Sequence, residues 1–379
     1  MKYSLLNYIC CPTCSGDLTF IIPPPGEVAQ DDASEIENGL LACNARACSR
    51  WFPIRNLIPE LLPDHLRNWE KNLEFLKTWE QKLPASIFNE LWEQSQSFAN
   101  RPVSVQDHGS NYKKSEISIK SRVTEADFFG PGFSSPFNPG NPEYTMHLIR
   151  RLGNVLPLLE LKRGDVVLDM GAGYAWTTEW LMKMGMVAIG VDICRTYLDI
   201  GVQRMGKTLP LPYLVIGDIE NLPIKNNRLD AVLCYDAFHH IPDRKKAMGR
   251  FHRALKDRGN IVLAEPGGMH EFARVSTEVM DKYGILEKGM ELDDINMYCE
   301  GLNVLPPEQH FVLKIQGHEV GQTLSREFVY AHPYVDCNIF VVKKQADTQG
   351  LILQAPSFKK KIKTKIKRLL KRVFFKLVG

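Results

Sequence analysis

Three groups of residues in this 379-residue chain have the types and spacing to do chemistry. The first is the run Val166-Val167-Leu168-Asp169-Met170-Gly171-Ala172-Gly173-Tyr174-Ala175-Trp176. An apolar strand there ends at an acid, and two glycines follow at alternate positions before a helix can begin. Glycines in that place let the backbone turn sharply and approach a bound ligand closely. The second group is Cys11-Pro12-Thr13-Cys14 with Cys43-Asn44-Ala45-Arg46-Ala47-Cys48. Two such knuckles can give four thiolates to a tetrahedral, structural zinc, so Cys11, Cys14, Cys43 and Cys48 are the expected metal ligands. The third group is Asp236-Ala237-Phe238-His239-His240. Imidazole has an ordinary pKa of about 6.5, so His239 or His240 could take a proton from a bound substrate near neutral pH. His239, His240 and Asp236 are therefore the expected catalytic residues, with Glu265 as a weaker candidate. The same histidines could instead cap the next helix or line a pocket, and Asp243 reads as a helix cap.

The elements that must position these residues follow from hydrophobic patterning. Short apolar runs read as buried strands at Val166–Asp169, Val187–Val191, Tyr213–Ile216, Ala231–Tyr235 and Ile261–Ala264. Helix-length stretches lie between most of them, at Thr177–Met184, Thr196–Met205 and Lys245–Leu255. Such alternation predicts an α/β fold with a parallel sheet and helices on both faces. Phe311–Ile315 and Cys337–Val342 would add an edge hairpin, giving a Rossmann-like, mostly parallel sheet of seven strands. Residues 267–308 read as a partly helical insertion. Ligands of open parallel sheets lie beyond the carboxyl ends of the strands, which is where Gly171 and Asp236 should meet.

Three features of the glycine loop decide between ligands. Trp176 stands where a dinucleotide fingerprint needs its third glycine. Asp169 would repel a pyrophosphate but suits the ammonium and sulfonium charges of S-adenosylmethionine. Asp192, ending Gly190-Val191-Asp192 and lying 21 residues after Gly171, can accept both ribose hydroxyls. Residues 146–270 resemble the class I methyltransferases of the broad type 11 group. The resemblance runs on through Gly217-Asp218-Ile219-Glu220-Asn221-Leu222-Pro223, through Leu229 to Ile241, and through Ala254 to Pro266. It departs at Gly259-Asn260, where the group usually has paired glycines. It implies that Asp218 faces the adenine amino group and that Ile219 packs on the adenine ring. Asp169, Gly171, Gly173, Asp192, Asp218 and Ile219 are thus the expected cofactor-binding residues.

The flanks divide the chain into a cysteine-bearing unit at 1–63, a helical and loop linker at 64–145, the core at 146–345 and a tail at 346–379. Five of nine cysteines crowd into residues 10–48, and clustered cysteines in a reducing compartment more often bind metal than form disulfides. A unit this small buries little core alone, so zinc would supply much of its folding energy. It resembles the short zinc-ribbon proteins that accompany tRNA methyltransferases as activating subunits, in Cys-Pro-x-Cys and in Phe52-Pro53-Ile54 through Pro63. Its Cys-x4-Cys is wider than the usual knuckle, and Cys10 reads as a bystander. Leu66, Trp69, Leu73, Leu76 and Trp79 form one helical face before Pro84, and Ile87, Leu91 and Trp92 mark a second helix. Residues 100–142, rich in Gly and Pro, read as loop that covers the active site.

Residues 357–379 hold ten Lys or Arg and no acid, against a formal net charge of +3 for the whole chain, which leaves residues 1–356 at −7. Ile362, Ile366, Leu369, Leu370, Val373 and Leu377 share one helical face, so the tail reads as a basic amphipathic helix seeking an anionic membrane. RNA, or the acidic body itself, are competing partners. No window is apolar enough to cross a bilayer and no signal peptide is readable, so the expected location is cytoplasmic, at the inner membrane face. The expected function is methyl transfer to an O or N acceptor, such as a cell-envelope glycan, a lipid-linked sugar or a small molecule. The alternative is an RNA methyltransferase gripping rRNA or tRNA with ribbon and tail. The negative body and the missing Asn/Asp-Pro-Pro-Tyr/Phe motif after the fourth strand weigh against it.

Overall fold

The computed structural model describes residues 1–21, 35–100, 108–120, 135–206, 211–268, 270–313 and 335–346. The expected tail helix at 357–379 and the aromatic segment at 128–133 lie outside the described residues. Met1–Gln345 form one unit by their contacts.

The five expected parallel strands are present as β5 (Val166–Met170), β6 (Val187–Asp192), β7 (Tyr213–Gly217), β8 (Leu229–Tyr235) and β9 (Leu255–Glu265). Every residue of β5 is buried, as expected of a strand covered on both faces. The late hairpin is β10 (Glu308–Leu313) and β11 (Val335–Lys343), with β11 antiparallel to β9. These seven run β7-β6-β5-β8-β9-β11-β10, so the order reverses between β5 and β8.

The expected seven strands are only part of the sheet. It has eleven, because β1 (Leu18–Phe20), β2 (Gly39–Cys43), β3 (Trp51–Arg55) and β4 (Ile58–Leu61) of the cysteine-bearing unit continue it. β4 pairs in parallel with β7 through Glu60 with Ile216 and Leu61 with Gly217. The edge that β7 would otherwise present is thereby paired. Apolar side chains follow suit: Leu5, Ile9, Phe52 and Leu61 share one buried cluster with Leu168, Val191 and Val215. Seven strands were expected because the front unit reads by itself as a ribbon, and which edge it pairs with is not a local property.

The linker differs from its expectation in one place. Residues 108–120, read as loop, form a helix, α3 (His108–Lys120), after α1 (Trp69–Lys77) and α2 (Ala85–Ala99). What holds α3 is tertiary: Lys113 is buried and bonds Asp218 and Glu220 of the core at 2.9 and 2.8 Å. α4 (Pro142–Val155) begins where Asn141 accepts the Tyr144 N–H and Pro142 takes the first turn, an ordinary start signal. α5 (Trp176–Lys183), α6 (Arg195–Met205) and α7 (Arg244–Ala254) follow β5, β6 and β8, and α8 (Arg274–Tyr283) and α9 (Leu292–Tyr298) lie in the insertion. Asp243 caps α7 by accepting the Lys246 N–H.

Candidate active site

The glycine loop is built from below. Asp169, 1% exposed, accepts hydrogen bonds from the hydroxyls of Thr177 and Thr178, each at 2.6 Å. Burial raises its carboxyl to about 6, with the two threonine bonds opposing that rise. Asp169 therefore ties the loop to the first turn of α5, and it lines neither of the two clefts described next. Gly171 has φ +74°, and its N–H donates to the Val191 carbonyl at 2.8 Å. A Cβ at Gly171 would stand 2.3 Å from Ala237 Cβ. The β5 and β8 loops pass each other at this point, and only glycine fits. Gly173, with φ +53°, donates its N–H to Asp192 Oδ2 at 2.9 Å.

One cleft, with about 770 Å³ of open space including its mouth, runs along the carboxyl ends of the strands. Gly171, Gly173, Asp192, Asp218 and Ile219 all line it, as do Asp236 and His240. Asp192 also accepts the Cys194 N–H at 2.8 Å, which with the Gly173 bond fixes its carboxylate at the cleft wall. Asp218 accepts from Lys113, so α3 forms part of this wall. A second cleft of about 690 Å³ opens on the other side of the glycine loop. Tyr144, Trp176, Tyr235 and Phe137 give it aromatic walls. The two clefts share Gly171, Gly173 and Asp236.

Asp236 stands at that junction with φ +58° and its side chain 40% exposed. Its place in the cleft would raise its carboxyl, but Arg151, 3.5 Å away, and the two histidines hold it below its ordinary value. His239 is different. It is buried, with Nδ1 2.7 Å from Glu265 Oε2 and Nε2 3.4 Å from Glu287 Oε2. Burial alone would lower its pKa, yet the bonds to Glu265 and Glu287 raise it to about 10. His240 lines the cleft and its Nδ1 contacts the Leu286 carbonyl at 2.6 Å. Glu265, fully buried, accepts the backbone N–H of Ala237, Phe238 and His239, so it shapes the loop that carries the histidines.

The cysteine quartet also comes together. Sγ of Cys11 lies 3.7 Å from that of Cys48, and Sγ of Cys14 3.4 Å from that of Cys43. Zinc–sulfur bonds of about 2.3 Å at tetrahedral angles place sulfurs about 3.8 Å apart. All four ligand atoms lie within 4.8 Å of one another. A Cβ at Gly16 would stand 3.0 Å from the Cys43 sulfur, so the backbone wraps the quartet closely. Burial pushes the Cys43 thiol up to about 11, a cost that a bound dication would remove. These residues fit a structural zinc. Cys10 is outside the quartet and buried, its N–H on the Pro223 carbonyl.

Two families match separate parts of the chain. Residues 168–263 match the methyltransferase domain family, and residues 2–56 match the Trm112p-like protein family. Residues 168–263 are thus similar to a methyltransferase domain, and residues 2–56 to a Trm112p-like protein. Phosphoethanolamine N-methyltransferase 2 of Caenorhabditis elegans is 27% identical over 202 residues, which are 50% of this chain and 44% of that protein. Demethylmenaquinone methyltransferase of Corynebacterium efficiens is 32% identical over 130 residues, 34% of this chain and 50% of that one. The chain spans about half the length of these curated relatives. Among solved structures, Haemonchus contortus phosphoethanolamine N-methyltransferase 2 with S-adenosyl-L-methionine has a TM-score of 0.48 at 17% identity, covering 65% of this chain and 61% of that one. A complex of the Haloferax volcanii Trm112 methyltransferase activator with a methyltransferase has a TM-score of 0.42 at 20% identity, covering 54% and 92%. The glycine loop, Asp192 and the histidine loop are legible in local patterns, and Asp218 only through the family resemblance. Lys113, Arg151, His270 and Glu287 are not, since each reaches the site from a distant segment. No helix among the described residues is long and apolar enough to cross a membrane.

Proposed function

We propose that this chain is an S-adenosylmethionine-dependent methyltransferase acting on a small molecule, glycan or lipid-linked sugar at an anionic membrane surface. The observation that carries the reading is the first cleft, where an open glycine loop faces Asp192 and Asp218 across the strand ends. S-adenosylmethionine brings a methyl group on a sulfonium carbon that an aligned nucleophile can displace. Asp192 would accept the ribose hydroxyls, Asp218 the adenine amino group, and Ile219 would pack on the ring. Gly171 and Gly173 let the backbone approach the ligand, and Asp169 holds their loop in place from behind.

The acceptor belongs in the second cleft, where Trp176, Tyr144 and Tyr235 offer flat apolar walls and Asp236 a carboxylate. Alignment supplies much of the rate in such a displacement. Asp236 at the junction, or His240 beside it in the first cleft, would take the proton an O or N acceptor loses. The zinc at Cys11, Cys14, Cys43 and Cys48 is structural in this reading, since four thiolates leave no open position.

The membrane part rests on the tail, where ten basic residues and an apolar stripe repeat within residues 357–379. Each basic residue near an anionic leaflet contributes on the order of 1 kcal/mol, so deleting the tail should weaken vesicle binding more than ~100-fold. Flotation with phosphatidylserine vesicles measures this. Methyl-labelled S-adenosylmethionine, offered with lipid, small-molecule and RNA extracts, tests the acceptor class. Label is expected in the lipid or small-molecule fraction; label confined to RNA would overturn the reading in favour of a ribbon-and-tail RNA enzyme.

A further inference from the structure

Three imidazoles gather on one carboxylate behind the wall of the cleft. Nε2 of His239 and Nε2 of His270 lie 3.4 and 2.8 Å from Glu287 Oε2, and His240, whose Nδ1 donates to the Leu286 carbonyl, packs beside Glu287 with that nitrogen 3.7 Å from Oε1. One ligand atom from each of His239, His240 and Glu287 falls within 4.8 Å of the others. A single carboxylate does not need three imidazoles as partners. A shared cation does explain the convergence. Ligands bound at about 2.0–2.1 Å to a tetrahedral ion stand about 3.4 Å apart.

The surroundings are those of a ligand set. His239 and Glu287 are each more than nine-tenths buried. Nδ1 of His239 is held by the buried Glu265, and that bond turns Nε2 toward Glu287. A carboxylate behind an imidazole is the arrangement that orients metal-binding histidines and raises their basicity. Glu287 and His270 come from the insertion, so a cation here would also pin that insertion to the β8 loop.

We propose that His239, His240 and Glu287 hold a first-row divalent cation with a fourth position left open, and that His270 orients Glu287 through its 2.8 Å bond to Oε2. Imidazole with carboxylate favours zinc, iron or manganese over calcium or magnesium. His240 lines the first cleft together with Asp236, so the cation would sit close to the junction at which methyl transfer is proposed. There it would act as a Lewis acid, lowering the pKa of an acceptor hydroxyl. That use rests on the methyl-transfer reading above, whereas binding of the cation does not.

The test is total metal per full-length chain, as purified and then titrated with Co²⁺. The wild type should hold one equivalent beyond the zinc of the cysteine ribbon. The cobalt spectrum should show visible d–d bands without a thiolate-to-metal band. Glu287→Gln and His270→Ala should each weaken that second site at least ~10-fold while the ribbon metal stays. His270 is the more exposed of the two, so it decides if Glu287→Gln fails to fold. No second equivalent in the wild type, or one retained unchanged in a folded variant, overturns the proposal. S-adenosylmethionine binding to His270→Ala, measured by calorimetry, separates the two readings: its retention leaves the cofactor cleft standing whatever the metal result.

Discussion

Gly171→Ala is expected to weaken S-adenosylmethionine binding by ~100-fold or more, which is about 2.7 kcal/mol. Two costs add at this position. A non-glycine residue at φ +74° is strained by about 1–2 kcal/mol, and the new Cβ would sit 2.3 Å from Ala237 Cβ. Relief requires the β5 and β8 loops to separate, and these loops bring Gly173, Asp236 and His240 to the cleft. Adding Ala237→Gly removes the clash and leaves the backbone strain, so the double variant should recover about tenfold of the loss. Calorimetry on folded protein measures both. Affinity within twofold of wild type in Gly171→Ala would sink the close-approach argument.

Chelating a metal held by the cysteine quartet, or making Cys43→Ser, is expected to destabilise the strand-ordered core and not only the unit in front of it. β4 pairs with β7, and Leu5, Ile9, Phe52 and Leu61 sit in the same buried cluster as Leu168 and Val215. The Lys225 N–H donates to the Tyr8 carbonyl at 2.7 Å, and Lys225 Nζ meets Asp17 at 2.6 Å. Structural zinc in small units is worth roughly 10–16 kcal/mol, comparable to the whole stability of an ordinary domain. Losing the ribbon would uncover the β7 edge and part of the apolar cluster. One cooperative transition, lowered by more than ~10 °C, is expected in thermal unfolding. Two separate transitions, with the larger unmoved, would contradict the joint fold.

These couplings mark the boundary of what the sequence could tell. The strands β5 to β9 are legible because each is a short apolar run bounded by turn residues. Gly171, Gly173 and Asp192 are legible because the loop chemistry is local, within about 25 residues. The pairing of β4 with β7 is not, since it joins residues 60 and 216 and neither segment announces its partner. α3 is missed for a similar reason: its polar sequence lacks a clear apolar stripe, and Lys113 is held by Asp218 and Glu220 far along the chain. His239 shows the same limit in its chemistry. Its residue type suggests a base, but its two carboxylate partners, Glu265 and Glu287, come from segments that the residue itself does not announce.

The central claim is that the cleft beside Gly171 binds S-adenosylmethionine and not a dinucleotide. Calorimetric titration of the full chain with S-adenosylmethionine and, separately, with NAD tests it most directly. Saturable binding of S-adenosylmethionine at one site per chain is predicted, weakened by Asp192→Ala and without measurable heat from NAD. Binding of NAD with no response to S-adenosylmethionine would contradict it.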